Sequence, residues 1–201
     1  MGRTIASVRA QLPEVEIVVV GRDEPGALAG SDVRFLESER VLNPAEARNA
    51  GCRAAQGDVF LFIDADCTAE PGWAERHLEA QGESPGIVGG AVTFDRSGYW
   101  ATADNISSFH FLLPDADDDR GLASLNLSVA RGAFELLGGF DEELPPAEDL
   151  DFSLRARKYG VDVRFEPAAL VRHEPARAGL GDLLRHARWY GAIFPVFLER
   201  Y

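Results

Sequence analysis

Lysine is almost missing from this chain. Lys158 is the single lysine among 20 basic residues, and the rest are arginine. We read that bias as codon usage or salt adaptation rather than chemistry. Cysteine is scarce as well. Cys52 and Cys67 form no Cys-x-x-Cys pair, and both look like reduced cytoplasmic thiols. Positive charge is in short supply, with 33 acids against 20 bases and a net charge of −13. Such a surface repels a phosphate polymer, so no nucleic-acid partner is expected through overall charge. No apolar run is long enough to span a bilayer, and no signal peptide opens the chain. These absences point to a cytoplasmic location.

What is present is ordinary for a globular protein: 201 residues, 46% hydrophobic and 26% charged. A chain of this length buries roughly 70% of its unfolded surface, so folding needs no metal or disulfide staple. With no repeats and no low-complexity linker, one domain over residues 1–201 is expected.

The pattern along the chain alternates between helix and strand. Ile5, Val8 and Leu12 recur at helical spacing until Pro13. The β-branched run at 15–20 reads as a strand buried on both faces, and 33–36 as a second short strand. A helix is signalled most clearly after Asn43, with Pro44 at its first position, Glu46 three residues past the cap and Gly57 as the stop. Its alanines give a thin face that can lie close against a sheet. The apolar strand 59–63 follows, and strand–helix–strand at this spacing predicts a right-handed crossover in a mostly parallel sheet. Further on, 73–81 reads as a helix, 87–94 as a strand and 122–129 as a strand. Short helices are expected at 132–137 and 148–159, a strand at 161–165, and a last helix at 179–200, broken or kinked at Pro195. The stretch 95–120 shows no period and reads as a functional loop or lid.

Two features carry chemistry. The buried strand 59–63 ends abruptly in Asp64-Ala65-Asp66. Ligands of open α/β sheets bind outside the carboxyl ends of strands. Two carboxylates so close repel each other unless a cation or a hydrogen-bond network holds them. A hard divalent ion such as Mg²⁺ or Mn²⁺ suits that pair together with phosphate oxygens. The bland reading is that Asp-x-Asp is common in so acidic a chain. The second feature is Glu148-Asp149, in the first turn of a helix behind a proline-containing loop. An acid there is favourable at a helix N-terminus without any catalytic duty. Alternatively, one carboxylate serves as general base for an acceptor hydroxyl while its neighbour orients the site.

The order of motifs resembles the family 2 glycosyltransferases of GT-A fold. Pro44-Ala45-Glu46-Ala47-Arg48-Asn49-Ala50-Gly51, Gly57-Asp58 and Asp64-Ala65-Asp66 match its central block. The segment from Asn126 to Arg131, Gly138-Gly139-Phe140-Asp141-Glu142 and Glu148-Asp149-Leu150-Asp151 match its acceptor-side block, in the same order. The likeness extends over about residues 4–191. It implies an inverting, metal-dependent transfer of sugar from a nucleotide-diphosphate donor to a carbohydrate or lipid-linked acceptor hydroxyl. Asp64 would face the nucleotide and sugar, and Asp66 would hold Mg²⁺ or Mn²⁺ on the diphosphate, with Asp64 and His173 as further metal ligands. Arg48 would lie near the donor, Asn126 near the donor sugar or acceptor, Asp149 would be the base, and Glu148 its neighbour. Trp100, Phe109 and Phe111 would line an acceptor path, or form the core of their own loop.

Two departures concern the nucleotide half. Family members begin with an apolar strand, whereas here Met1 stands almost at the first helix, so the domain reads as shortened at its amino-terminal edge. A sheet without that strand has a gap, an exposed edge or a strand supplied by a partner, a homo-oligomer included. The usual aspartate pair after the next strand is reduced to Asp23. These departures support a second reading, a catalytically impaired binding or assembly module. A third, a haloacid-dehalogenase-like phosphatase, is poor, because Lys158 follows the downstream acids instead of preceding them. The amphipathic end 189–201 reads as a docking helix in preference to a peripheral membrane contact, since the net charge of −13 repels anionic headgroups.

Overall fold

The computed structural model describes residues 1–22, 26, 28, 32–96, 98–115, 122–144, 146–174 and 179–201. In chain order the elements are α1 (Gly2–Arg9), β1 (Val18–Gly21), β2 (Arg34–Glu37), α2 (Pro44–Ala54), β3 (Val59–Ile63), β4 (Cys67–Ala69) and α3 (Trp73–Glu83). Then follow β5 (Ile87–Phe94), α4 (Tyr99–Phe109), β6 (Asn126–Ala130), α5 (Arg131–Leu137), α6 (Glu148–Lys158), β7 (Val163–His173) and α7 (Leu180–Arg200). Asp23 and most of the acidic run 115–119 lie outside the described residues.

The architecture is α/β, with a central sheet flanked by helices. The five-stranded sheet has the order β3-β6-β5-β7-β4, and β1 and β2 form a separate parallel pair. The expected parallel character holds only in part. Within the larger sheet β5 and β7 are parallel, whereas β3–β6, β5–β6 and β4–β7 are antiparallel. The reason is that β6 returns between β3 and β5, so these two strands, which run the same way, are not hydrogen-bonded neighbours. Of the stretch read as a lid, Tyr99–Leu112 is instead helical. Its apolar residues are spread over α4 and a 3-10 turn at His110–Leu112, and Leu112 is buried.

Strand alternation divides the core into two layers. Phe60 and Phe62 pack with Phe134, Phe140 and Phe152 on one face, whereas Leu61 and Ile63 pack with Trp73, Val92 and Val171 on the other. Edge-to-face contacts such as Phe60–Phe134, with centroids 5.4 Å apart, tie the aromatic layer together. The α2 start behaves as its sequence dictates. Asn43 Oδ1 accepts from the Glu46 N–H at 2.9 Å, and Glu46 Oε2 accepts from the Asn43 N–H at 2.9 Å. A cap of this kind stabilises the helix by about 1 kcal/mol.

The last helix continues through Pro195 as one element. Its end is docked: Arg200 pairs with Asp141 and Glu143, and the Tyr201 hydroxyl donates to Asp151 Oδ1 at 2.6 Å. No helix among the described residues is long and apolar enough to cross a membrane.

Candidate active site

The site gathers at the carboxyl end of β3. Asp64 leaves the strand with its N–H bonded to the Leu125 carbonyl, and its side chain stays partly open to solvent. Arg48, on the middle of α2, donates to Asp64 Oδ1 at 3.1 Å and to Glu148 Oε1 at 2.6 Å. One guanidinium therefore bridges β3 to the first turn of α6. Burial alone would lower the Arg48 pKa, but the charges of Asp64, Glu148 and Asp149 outweigh it and hold the group firmly protonated.

Glu148 is almost fully buried, and that burial, with the Asp149 charge beside it, pushes its carboxyl up to about 8 despite the Arg48 contact. Asp149 moves in the same direction, chiefly through burial. Its Oδ2 accepts from the Ser124 N–H at 3.3 Å and its Oδ1 from the Leu150 N–H at 2.8 Å. These donors, like the α6 dipole, favour charge there, so the two acids sit between opposing influences. Such a pair holds a proton more tightly than free carboxyls do.

The turn that delivers α6 explains the Gly-Gly motif. Gly138 and Gly139 have φ of 75° and 83°, and a Cβ on Gly139 would stand 2.7 Å from Asn49 Oδ1. Asn49 uses that close approach. It accepts from the Phe140 N–H at 2.9 Å and donates to the Phe140 carbonyl at 2.8 Å. Asn49 thus clamps the turn to α2, next to Arg48. Sequence reasoning gave Asn49 no role, although its position inside the helical motif was visible.

Asp66 and His173 meet through an element that the sequence analysis missed, β4. Its antiparallel pairing sets Cys67 opposite His173, so Asp66 Oδ2 lies 3.5 Å from His173 Nε2. The His173 contact holds the Asp66 carboxyl below its usual range. His173 Nδ1 is 2.9 Å from Asn105 Oδ1, a contact that orients the ring with Nε2 toward Asp66. A carboxylate and an imidazole nitrogen aimed at each other fit a divalent cation whose remaining ligands are oxygens. Asp64 does not complete this set. It turns to Arg48, and among the described residues no group of three or more His, Cys, Asp or Glu side chains is arranged to hold a metal.

Asn126, expected near the donor sugar or acceptor, is buried in the sheet with its amide fully engaged. Asn126 Oδ1 accepts from Trp73 Nε1 at 2.7 Å and lies 2.9 Å from His77 Nε2, and Nδ2 donates to the Ala91 and Ala169 carbonyls at 2.8 Å. Its backbone lies opposite Ile63, the last residue of β3, while its amide is spent on these four partners. Phe109 packs against His173 at 4.9 Å and Phe111 against the core, while Trp100 faces outward beside Tyr99.

Solved structures share this arrangement of sheet and helices. The crystal structure of GalNAc-T7 with UDP, GalNAc and Mn²⁺ aligns with a TM-score of 0.64 at 17% identity, covering 85% of this chain and 40% of that one. The mannosyltransferase PcManGT from Pyrobaculum calidifontis, in complex with GDP-Man and Mn²⁺, aligns at 0.63 and 17%, covering 86% and 52%. The fold is therefore GT-A, that of the nucleotide-sugar transferases. The sequence narrows this further: residues 1–123 match glycosyl transferase family 2, and the chain belongs to that family. Among its relatives, a pre-mycofactocin glycosyltransferase of Mycobacterium tuberculosis is 28% identical over 176 residues, 81% of this chain and 36% of its own length. The glycosyltransferase AglE of Haloferax volcanii is 30% identical over 160 residues, covering 78% of this chain and 52% of its own length. The chain thus spans between about a third and a half of these relatives.

Proposed function

We propose that this chain transfers a sugar, with inversion, from a nucleoside-diphosphate donor to an acceptor hydroxyl of a carbohydrate or lipid-linked molecule. The observation that carries the reading is Arg48, which joins the strand-end carboxylate Asp64 to the buried acids of α6. Donor and acceptor functions then share one cleft. Asp66 and His173 would hold Mn²⁺ or Mg²⁺, and the imidazole nitrogen favours Mn²⁺ over an ion that prefers six oxygens. When bound, that cation would offset the charge developing on the diphosphate leaving group.

The remaining roles belong to side chains of this chain. Asp64 orients the donor, and Arg48 fixes the Asp64 rotamer. Asp149, raised by its buried setting, takes the acceptor proton as the hydroxyl oxygen attacks the anomeric carbon from the face opposite the diphosphate. Glu148 is anchored on Arg48, and the Ser124 and Leu150 N–H groups hold the Asp149 carboxylate in place. The parallel with solved relatives is limited to fold, but both hold a nucleotide or nucleotide sugar with Mn²⁺.

The test is a thermal-shift titration with uridine, guanosine and thymidine diphosphates in Mn²⁺. At least one should raise the Tm, the shift should vanish in Asp66→Ala, and Asp149→Asn should keep it while losing sugar transfer. No shift with any of the three would sink the proposal. A shift without transfer or donor hydrolysis would favour the binding-module reading.

A further inference from the structure

The last helix reaches both halves of the site. In its first half His186 Nδ1 lies 3.5 Å from Asp104 Oδ1 on α4. Asp104 is the chain neighbour of Asn105, whose side chain orients His173. At its far end Arg200 pairs with Asp141 and, at 3.0 Å, with Glu143, both in the turn that leads to α6. The Tyr201 hydroxyl donates to Asp151 Oδ1 at 2.6 Å, in the first turn of α6 itself. Phe197 is buried, with its ring 5.0 Å from that of Tyr201. α7 thus runs from the helix that holds the imidazole to the turn that delivers Glu148 and Asp149.

The start of α6 needs an external hold. Six carboxylates fall within residues 141–151, and like charges so close push the segment apart. No side chain caps the helix at Ala147, so its own sequence does not fix where it begins. Neighbours do so instead. Asn49 bonds both polar groups of Phe140, and Arg155 donates to the Leu137 and Gly139 carbonyls at 2.7 and 2.9 Å. Arg155 Nε also donates to Asp151 Oδ2 at 2.7 Å, so Arg155 and Tyr201 share one buried carboxylate. Hydrogen bonds to an ionised carboxylate are the strong ones. Tyr201, Asp151 and Arg155 therefore form a chain of contacts from α7 to the Gly138-Gly139 turn, and Arg200 sets a cation against the acids of that turn.

Between these two anchors the helix is weak. Pro195 has no N–H for the carbonyl of Gly191, four residues earlier, and Gly191 brings no side chain to pack. Gly191, Ala192, Pro195 and Val196 are all exposed. The weak turn lies between His186 and Phe197, so the end of α7 can swing while its first half stays on α4.

We propose that α7 is a hinged strap: residues 191–195 are its hinge, and Arg200 and Tyr201 are positioning residues that seat the first turn of α6. With the strap down, the turn holds Glu148 on Arg48 and Asp149 on the Ser124 N–H. With it released, the carboxylates of residues 141–151 spread apart. That the seated acids serve sugar transfer rests on the function proposed above, whereas the strap itself does not.

The experiment compares the 201-residue chain with Arg200→Ala/Tyr201→Phe, in which the ring at 201 can still pack on Phe197. Amide hydrogen exchange is read residue by residue. The Phe140 and Leu150 N–H groups should exchange faster in the variant by about tenfold or more, with Val59–Ile63 unchanged. Arg200→Lys, which keeps the charge, should hold Phe140 near the parent's rate. Pro195→Ala, which restores the missing N–H, should slow exchange at Val196, Phe197 and Leu198 by about tenfold. With donor and acceptor, the double variant should lose about tenfold in kcat at unchanged donor KM, and keep the diphosphate-induced thermal shift. Unchanged exchange at Phe140 and Leu150 in the folded double variant would overturn the strap. So would acceleration that extends equally through β3, which marks a general loss of stability. Unchanged exchange in Pro195→Ala would overturn the hinge. If the parent chain transfers no sugar, exchange still decides on the strap, and the transfer reading fails alone.

Discussion

Glu148→Gln tests the electrostatics of the site through stability alone, before any substrate is known. In the fold the Glu148 carboxyl sits at about 8 against an ordinary value of 4.5. A group that binds its proton more tightly folded than unfolded stabilises the protein fully below about pH 4.5, and that contribution is lost as pH rises toward 8. At about 1.36 kcal/mol per unit, the loss attributable to Glu148 is roughly 3 kcal/mol by pH 7 and nearer 5 kcal/mol above pH 8. Gln keeps an oxygen for Arg48 and the same shape but cannot ionise. Urea denaturation at several pH values between 5 and 9, for both proteins, gives the difference directly. The variant should gain on the parent by roughly 1 kcal/mol per pH unit between about pH 5 and 8 and level off above that, with titrating groups remote from Glu148 cancelling in the subtraction. Two parallel stability curves would refute the reasoning. They would mean that the 2.6 Å contact with Arg48 outweighs burial and keeps Glu148 ionised throughout.

Three further outcomes follow from the geometry. Asn126→Ala strips partners from Trp73, His77 and two carbonyls, and should cost roughly 3 kcal/mol in chemical denaturation while leaving the diphosphate-induced thermal shift of the folded fraction intact. Gly90→Ala should cost more than about 2 kcal/mol by the same measurement, because its Cβ would run into the Ala169 carbonyl and the Asn126 amide at the bulge where β5 changes register against β7. Asn105→Ala frees the His173 ring, and direct Mn²⁺ titration should show affinity weakened by about 10-fold or more with the melting curve of the metal-free protein little changed.

What was legible in the sequence was whatever depends on local signals. The Asn43–Glu46 cap, the run from Val59 to Ile63 and the strand from Ile87 to Phe94 all declare themselves through neighbours in the chain, and the structure keeps their bounds. Strand direction was not legible, because it depends on where β6 is threaded. Nothing between Asn126 and Ala130 says that it runs between β3 and β5. Short β4 escaped for a related reason. Three residues, of which only Thr68 favours strands, form one because the last residues of β7 lie alongside them.

The same distinction separates the candidate residues. Asp64, Asp66, Glu148 and Asp149 were visible because burying or crowding carboxylates demands a chemical reason. How they are shared out was not, because it is settled by Arg48 and His173 from distant parts of the chain. Arg48 takes Asp64 and Glu148, and His173 takes Asp66. The Asp-x-Asp spacing therefore sends its two carboxylates to different partners, one toward the acids of α6 and one toward the imidazole of β7. Asn126 shows the converse. A polar residue at the start of a strand resembles a ligand-binding group, yet the two carbonyls at the irregular β5–β7 pairing and the ring N–H groups of α3 saturate it first. Its hydrogen-bonding capacity is used inside the sheet, where two carbonyls and two ring nitrogens would otherwise lack a partner.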